Sequence, residues 1–179
     1  MPTRSPFFDG ALRWLCGEEL PDRCLKCGYE WSTEADTALL VIANAPSRYA
    51  ALLDGRDGMT APADNGWNAT AYLWHLTDLA RSWSERWVQL SVSPGSTLVG
   101  WDPDALAEAR NYRGLPTAPA LWALPVATAA FVTLSEQLDP ATLFEHADWG
   151  PGTVADATRW LAHEYLHHQL DVDERAVRV

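Results

Sequence analysis

The most constraining feature of the sequence is a set of four long segments in which apolar residues recur every three to four positions. This is the period of an amphipathic α-helix. The expected helical ranges are 33–54, 67–91, 117–138 and 154–176. A shorter helix is expected near 104–111, starting at Asp102 or Pro103. No alternating polar and apolar stretch reaches a convincing strand length, so the sequence predicts an all-α protein built as a four-helix bundle.

Length and charge limit the classes of function. The 179 residues suit one domain, with an irregular segment rich in turn-forming residues over 1–31 and the helical bundle over 32–178. A formal net charge of −11 argues against binding to nucleic acid or to anionic membrane surfaces. No apolar run approaches the ~20 residues of a membrane span, and no secretory signal is apparent. We therefore expect a soluble, cytoplasmic protein that acts on a small molecule.

Histidines in two of the predicted helices form a candidate metal site. His163 and His167 are four residues apart, which places both imidazoles on one helical face, as in many metal-binding helices. His75, in an earlier helix, is the best candidate for a third ligand, and Asp78 lies one turn later. His168 is rotated by about 100° from His167 and is expected to point elsewhere. The alternative is that these are ordinary surface or core histidines.

All three cysteines lie in the N-terminal segment. Cys24 and Cys27 form a C-x-x-C-G turn of the kind that zinc knuckles use, and Cys16 is a candidate third ligand. No fourth ligand is apparent. A structural metal site, free reduced thiols, and a redox pair or disulfide all remain open interpretations.

Several motifs together resemble one known family. They are H-L-T-D at 75–78, H-E-Y-L-H at 163–167, W-N-A-T-A-Y-L-W-H at 67–75, and W-D-P-D-A-L-A-E-A-R-N-Y-R at 101–113. Over about residues 33–176 the chain resembles the DinB/YfiT-like superfamily of metalloenzymes. It is most similar to the actinobacterial branch that includes the N-terminal domain of mycothiol-dependent maleylpyruvate isomerase-like proteins. A single Lys beside 12 Arg is consistent with a GC-rich actinobacterial host.

The resemblance implies a four-helix bundle that holds one divalent ion on His75, His163 and His167. In some relatives a carboxylate replaces one histidine of the late-helix pair. Zn²⁺ is the expected ion, with Ni²⁺ and Fe²⁺ as alternatives. An open coordination position would activate water in a hydrolase, or bind a thiolate in a transferase that uses mycothiol as co-substrate.

Three carboxylates near the histidines are candidate proton acceptors in such an enzyme: Asp78, Glu164 and Asp171. The alternative from a different functional class is a non-catalytic stress-response module that binds a metal or small ligand and forms a homodimer. A carboxylate beside an open coordination position favours the enzyme, whereas a fourth protein ligand that closes the site favours the structural role.

Overall fold

The computed structural model describes residues 22–178, so Cys16 and the rest of 1–21 lie outside the described residues. The described chain is mostly helical and contains five α-helices. They are α1 (Ala35–Leu53), α2 (Ala69–Val92), α3 (Pro103–Ala109), α4 (Thr117–Ser135) and α5 (Val154–Arg175). The helices form a bundle, which confirms the predicted fold class. Each predicted helix is present, with boundaries shifted by a few residues.

Local capping interactions explain where three of the helices begin. The Asn68 side chain accepts a hydrogen bond from the amide of Ala71 at 2.9 Å and starts α2. Asp102 caps α3 with Pro103 in the first helical turn, as the sequence predicts. Thr153 and Asp156 form a reciprocal capping box at the start of α5. Local hydrogen bonds therefore define the start of α5, the helix that carries three of the five histidines.

Within residues 22–178, five short strands lie between the helices and directly after the last helix, where the sequence predicts none. They are β1 (Arg56–Asp57), β2 (Thr97–Leu98), β3 (Leu143–His146), β4 (Gly150–Thr153) and β5 (Val177–Arg178). β3 pairs antiparallel with β4 and parallel with β2, and β1 pairs antiparallel with β5. Strands of two to four residues are too short to show a period-two pattern, which is why hydrophobic periodicity misses them.

The four long helices enclose an aromatic core. α1 packs against α4 and α5, and α2 packs against the same two helices on the other side. The largest fully buried side chains include Trp83, Trp87, Tyr49, Tyr165 and Phe131. The Tyr49 hydroxyl donates to the carbonyl oxygen of Tyr165 at 2.6 Å, and the Trp87 indole donates to the Ser135 hydroxyl at 2.8 Å. These bonds satisfy polar atoms that burial would otherwise make costly.

α4 differs from the expectation that no apolar segment is long enough to span a membrane. An 18-residue stretch of this 19-residue helix has a mean hydropathy of 1.5, so by length and composition it is apolar enough to cross a membrane. The expectation that no apolar run approaches that length is therefore wrong. A core helix of a bundle passes the same test, and α4 packs against α1 and α2. Its apolar composition is thus accounted for in part by the core that it lines.

Candidate metal centre

Four residues of α5 could bind a metal ion, and they occupy two neighbouring faces of the helix. They are His163, Glu164, His167 and His168. Consecutive helical residues point about 100° apart, whereas residues four apart share a face. His163 and His167 therefore lie on one face, and Glu164 and His168 lie on the next. Each face meets a different part of the chain, and the two faces build two separate clusters of metal-ligating side chains.

The first cluster, named here the His75 cluster, consists of His75, Glu164 and His168. One ligand atom from each residue lies within 4.8 Å of the others. Oε2 of Glu164 lies 3.7 Å from Nε2 of His75 and 3.3 Å from Nε2 of His168. The two imidazole rings meet nearly perpendicular, with centroids 5.2 Å apart. Within residues 22–178 no fourth His, Cys, Asp or Glu completes this cluster.

The charges in the His75 cluster follow from burial and hydrogen bonding. Burial lowers the pKa of His75, which keeps its ring neutral and able to donate a lone pair. Burial alone would raise the pKa of Glu164, but the neighbouring His163, His168 and His75 rings hold it well below its ordinary value. Burial lowers the pKa of His168, whereas Asp171 and Glu164 outweigh that effect and raise it to about 9. Without an ion, the cluster therefore contains an ionised carboxylate, a neutral His75 ring and a protonated His168 ring, which loses its proton when an ion binds.

Asp171 orients one of these imidazoles. Its Oδ2 lies 2.7 Å from Nδ1 of His168, so that Nε2 of the same ring is directed at Glu164. Carboxylates commonly hold ligating histidines in this way, fixing both the tautomer and the ring angle. The other carboxylate oxygen of Asp171 accepts a hydrogen bond from Lys26 at 2.6 Å. Asp171 therefore positions His168 and is not itself a member of the His75 cluster.

This arrangement predicts the effect of replacing Asp171 with asparagine. We expect the affinity of the His75 cluster for a divalent ion to fall by about 10–100-fold, the usual effect of removing a carboxylate that supports a ligand. Isothermal titration of metal into chelator-treated protein measures the change. Asp173→Asn is the matched control, since Asp173 lies on the same helix and pairs with Arg56 away from the cluster. Equal affinity losses in both variants would contradict the assigned role.

Asp78, the third candidate proton acceptor, is occupied by other contacts. Oδ2 accepts hydrogen bonds from the Tyr112 hydroxyl and, at 2.6 Å, from Arg110, and Oδ1 lies 3.3 Å from Arg81. The carboxylate is buried and makes no hydrogen bond to His75 among the described contacts. Asp78 therefore connects α2 to the segment after α3. Its predicted role in proton transfer stays a prediction.

The second cluster, named here the Cys2His2 cluster, consists of Cys24, Cys27, His163 and His167. One ligand atom from each of the four side chains lies within 4.8 Å of the others. Sγ of Cys24 is 3.4 Å from Nδ1 of His167. Burial raises the pKa of the Cys24 thiol, but the backbone amides of Cys27 and Lys26 and the His163 ring lower it to about 7. The N-terminal segment and the last helix thus meet at a cysteine–histidine cluster.

The structure groups the histidines differently from the sequence prediction. His75 clusters with Glu164 and His168, whereas His163 and His167 face the cysteines. His168 points away from the face that carries His163 and His167, as expected, and it lies in the His75 cluster because its own face of α5 turns toward α2. Two features of the sequence could have indicated the His75 cluster. One is the E-x-x-x-H spacing at 164–168, and the other is that a carboxylate replaces one histidine of the late-helix pair in some relatives.

A single large cavity gives access to both clusters. Its volume is about 1070 Å³, and its wall includes members of both clusters. Four tryptophans and a tyrosine contribute most of the aromatic wall: Trp67, Trp101, Trp149, Trp160 and Tyr72. His146 is fully buried in this wall and stacks on Trp149 with ring centroids 4.3 Å apart. The cavity is large enough for a drug-sized molecule beside a metal ion.

Comparison with known proteins supports the fold assignment. The structure is similar to YfiT from Bacillus subtilis, which is described as a probable metal-dependent hydrolase with an unusual four-helix bundle topology. The TM-score is 0.67, the sequence identity is 18%, and the match covers 90% of this chain and 95% of YfiT. No family model matches the sequence, and no curated protein matches it either. At this identity the likeness shows the four-helix bundle fold of the YfiT type.

Proposed function

We propose that the protein is a metal-dependent hydrolase of a small molecule, with His75, Glu164 and His168 as the ligands of the catalytic ion. The observation that carries the proposal is a buried set of two imidazoles and one carboxylate on the wall of a large cavity. The likeness to YfiT, itself described as a probable metal-dependent hydrolase, supports the same reaction class by analogy.

The donor set fits a catalytic rather than a structural ion. Two histidines and one glutamate are the ligands of several zinc hydrolases, which leave further positions free for water or substrate. The same set also suits Ni²⁺ and Fe²⁺, so the identity of the metal is left to measurement. When bound, such an ion polarises a substrate carbonyl and activates water as a nucleophile near neutral pH.

The residues of this chain divide the remaining tasks. Glu164 and the neutral His75 ring offer lone pairs to the ion, and Asp171 aims Nε2 of His168 at the same point. Aromatic side chains around the cavity exclude water and contact the apolar part of a substrate. Arg86, whose guanidinium lies 4.6 Å from the centre of the Trp83 ring, places a positive charge in the same wall.

Transfer of a low-molecular-weight thiol is the second candidate reaction at this cluster. The cavity of about 1070 Å³ has room for a second molecule beside the ion, as transfer to or from a mycothiol-type co-substrate requires. The same ligands would then hold a thiolate instead of activating water. If the protein is instead a non-catalytic metal-binding module, we expect the metal-loaded protein to convert neither hydrolase nor thiol-transferase substrates.

The proposal is tested by metal reconstitution and a substrate panel. Chelator-treated protein is reloaded with Zn²⁺, Ni²⁺ or Fe²⁺ and assayed on small esters, amides and thiol acceptors, with and without added thiol. Metal-dependent hydrolysis that His75→Ala abolishes is the expected result. His146→Ala is the control for metal content, because His146 lies in the cavity wall but outside the His75 cluster. Turnover that requires added thiol would favour the transferase, and activity independent of metal would overturn both.

A further inference from the structure

We propose that Cys24, Cys27, His163 and His167 form a closed, structural Zn²⁺ site that fastens the N-terminal knuckle to the last helix. This site is distinct from the His75 cluster, and it does not depend on which reaction the protein catalyses. Four protein ligands of the Cys2His2 type leave no open position, which is the feature that separates structural from catalytic zinc.

The ligand atoms are already grouped at nearly the required distances. In a tetrahedral site with Zn–N of ~2.0 Å and Zn–S of ~2.3 Å, neighbouring ligand atoms lie about 3.3–3.8 Å apart. The four atoms of the Cys2His2 cluster all lie within 4.8 Å of one another, and the Cys24 Sγ to His167 Nδ1 distance is 3.4 Å. Side-chain adjustments of at most about 1–1.5 Å, the difference between 4.8 Å and this range, bring the set to tetrahedral geometry.

The spacing within each half of the cluster is that of a zinc finger. Cys24 and Cys27 have the C-x2-C spacing, and His163 and His167 have the H-x3-H spacing. In a zinc finger the two halves are close in sequence, whereas here they are separated by 135 residues. The bundle brings them together because α5 runs beside the segment that precedes α1. An ion at this point would therefore close a long loop of the chain, which increases its stabilising effect.

The backbone around the cysteines is already folded as a knuckle. The amide of Gly28 donates to the carbonyl oxygen of Cys24 at 2.8 Å, and the amide of Cys24 donates to the carbonyl oxygen of Tyr29 at 2.8 Å. Gly28 has a φ of 76°, a left-handed conformation that glycine adopts without strain. Burial raises the pKa of the Cys24 thiol, and interactions with the backbone amides of Cys27 and Lys26 lower it. Interactions of this kind also stabilise a metal-bound thiolate.

The His163 ring provides an independent reason to expect a ligand. Its side chain is 2% exposed, and neither ring nitrogen meets hydrogen-bonding geometry with another described residue, although the Cys27 thiol and Glu164 lie beside it. Buried polar atoms normally have partners, so a ring without a well-formed bond requires an explanation. Because Nδ1 lies 3.3 Å from Oε1 of Glu164, Nε2 is the nitrogen left for an ion.

The surroundings of the cluster favour a closed site. The Trp31 and Tyr29 rings lie 4.6 Å and 5.9 Å from the His163 ring, and all three residues are buried. Cys24 is buried, and both Cys24 and Cys27 are free thiols in the structure. Cys27 and His167 are half-buried, and His167 lies in the wall of the cavity. The site is closed because four protein ligands fill the coordination sphere of the ion, as in structural zinc sites.

The proposed site is also connected to the His75 cluster. Glu164 contacts His163 through Oε1 and reaches His75 and His168 through Oε2. An ion on Nε2 of His163 would hold Nδ1–H as the donor to Glu164, an arrangement in which an outer carboxylate fixes a ligand. Lys26, inside the knuckle, bonds to Asp171, which orients His168. We therefore expect loss of the structural zinc to weaken ion binding at the His75 cluster by about 10-fold or more.

The test uses the full chain with cobalt as the spectroscopic probe. Chelator-treated protein is titrated with Co²⁺ under reducing conditions. We expect a tetrahedral visible spectrum together with a thiolate-to-cobalt charge-transfer band that saturates at one equivalent and disappears when Zn²⁺ is added. The His75 cluster contains no sulfur, so it cannot produce that band. Absence of the band in wild-type protein, or a Cys24–Cys27 disulfide as the resting state by mass spectrometry, would overturn the proposal.

Variants assign the band to individual residues. Cys27→Ser and His167→Ala should weaken or abolish it and lower the zinc content by one equivalent, with the helical circular dichroism retained. Cys16→Ser is the matched cysteine control and His168→Ala the matched histidine control, and both should keep the band. Loss of the band in Cys16→Ser would show a different ligand set. Because the band is independent of turnover, it is informative even if no hydrolase activity is found.

Discussion

Replacing Glu164 with alanine is expected to remove the ion from the His75 cluster and to stop metal-dependent turnover. Glu164 contacts His75, His163 and His168, so its loss eliminates one ligand and releases the imidazoles that it holds. Removing a supporting residue near a metal costs about 10–100-fold in affinity, and losing a ligand should cost more than about 100-fold. Metal content after dialysis and titration of the reloaded protein measure the effect.

This substitution also decides between the two groupings of the histidines. Three-histidine ligation by His75, His163 and His167 does not use Glu164 as a ligand, so that arrangement would retain metal in the variant. The control is Glu174→Ala, which removes an exposed carboxylate near the end of the same helix. Wild-type metal affinity in Glu164→Ala would exclude the His75 cluster as the site of the ion.

Replacing Trp87 with alanine is expected to cause the largest loss of folding stability. The side chain is fully buried, packs on Phe131 and Phe144, and donates its indole N–H to Ser135. Removing a buried tryptophan loses its transfer free energy and leaves a cavity, which together cost about 3–5 kcal/mol. Urea unfolding followed by circular dichroism gives the change in the free energy of unfolding.

The sequence supplies a matched control for that experiment. Trp122 lies on α4 and is 71% exposed, so Trp122→Ala should change the free energy of unfolding by about 0.5 kcal/mol or less. If the two variants lost similar stability, the aromatic core between α2 and α4 would not be the main source of stability in the bundle.

The helices were predictable because their hydrophobic period extends over many turns. The α5 segment, for instance, combines an apolar face with a capping pair at Thr153 and Asp156, and both signals are local in the sequence. The short strands were not predictable, since β2 and β5 have two residues each and depend on partners far along the chain. Hydrogen bonds with distant partners leave no periodic signal in so few residues.

The histidines of the candidate site were predictable as a set but not in their grouping. α5 carries two overlapping i,i+4 pairs, His163 with His167 and Glu164 with His168. The two pairs are one residue apart in the sequence and therefore point about 100° apart around the helix. Only the packing of α5 against its neighbours determines which pair meets His75. Cys24 and Cys27, which lie beside His163 and His167, are more than 130 residues earlier in the sequence. The spacing of residues within one helix cannot predict a contact over that distance.

The interleaving of two ligand pairs on α5 restricts how this helix can diverge over evolution. A rotation that improves the fit of Glu164 and His168 to α2 moves His163 and His167 away from the cysteines by the same angle. An insertion or deletion of one residue in α5 before His168 would displace these pairs, unlike a change of length in a surface loop. Sequence drift between the start of α5 and His168 should therefore be confined to substitutions on the outer face, with the length of this part held constant.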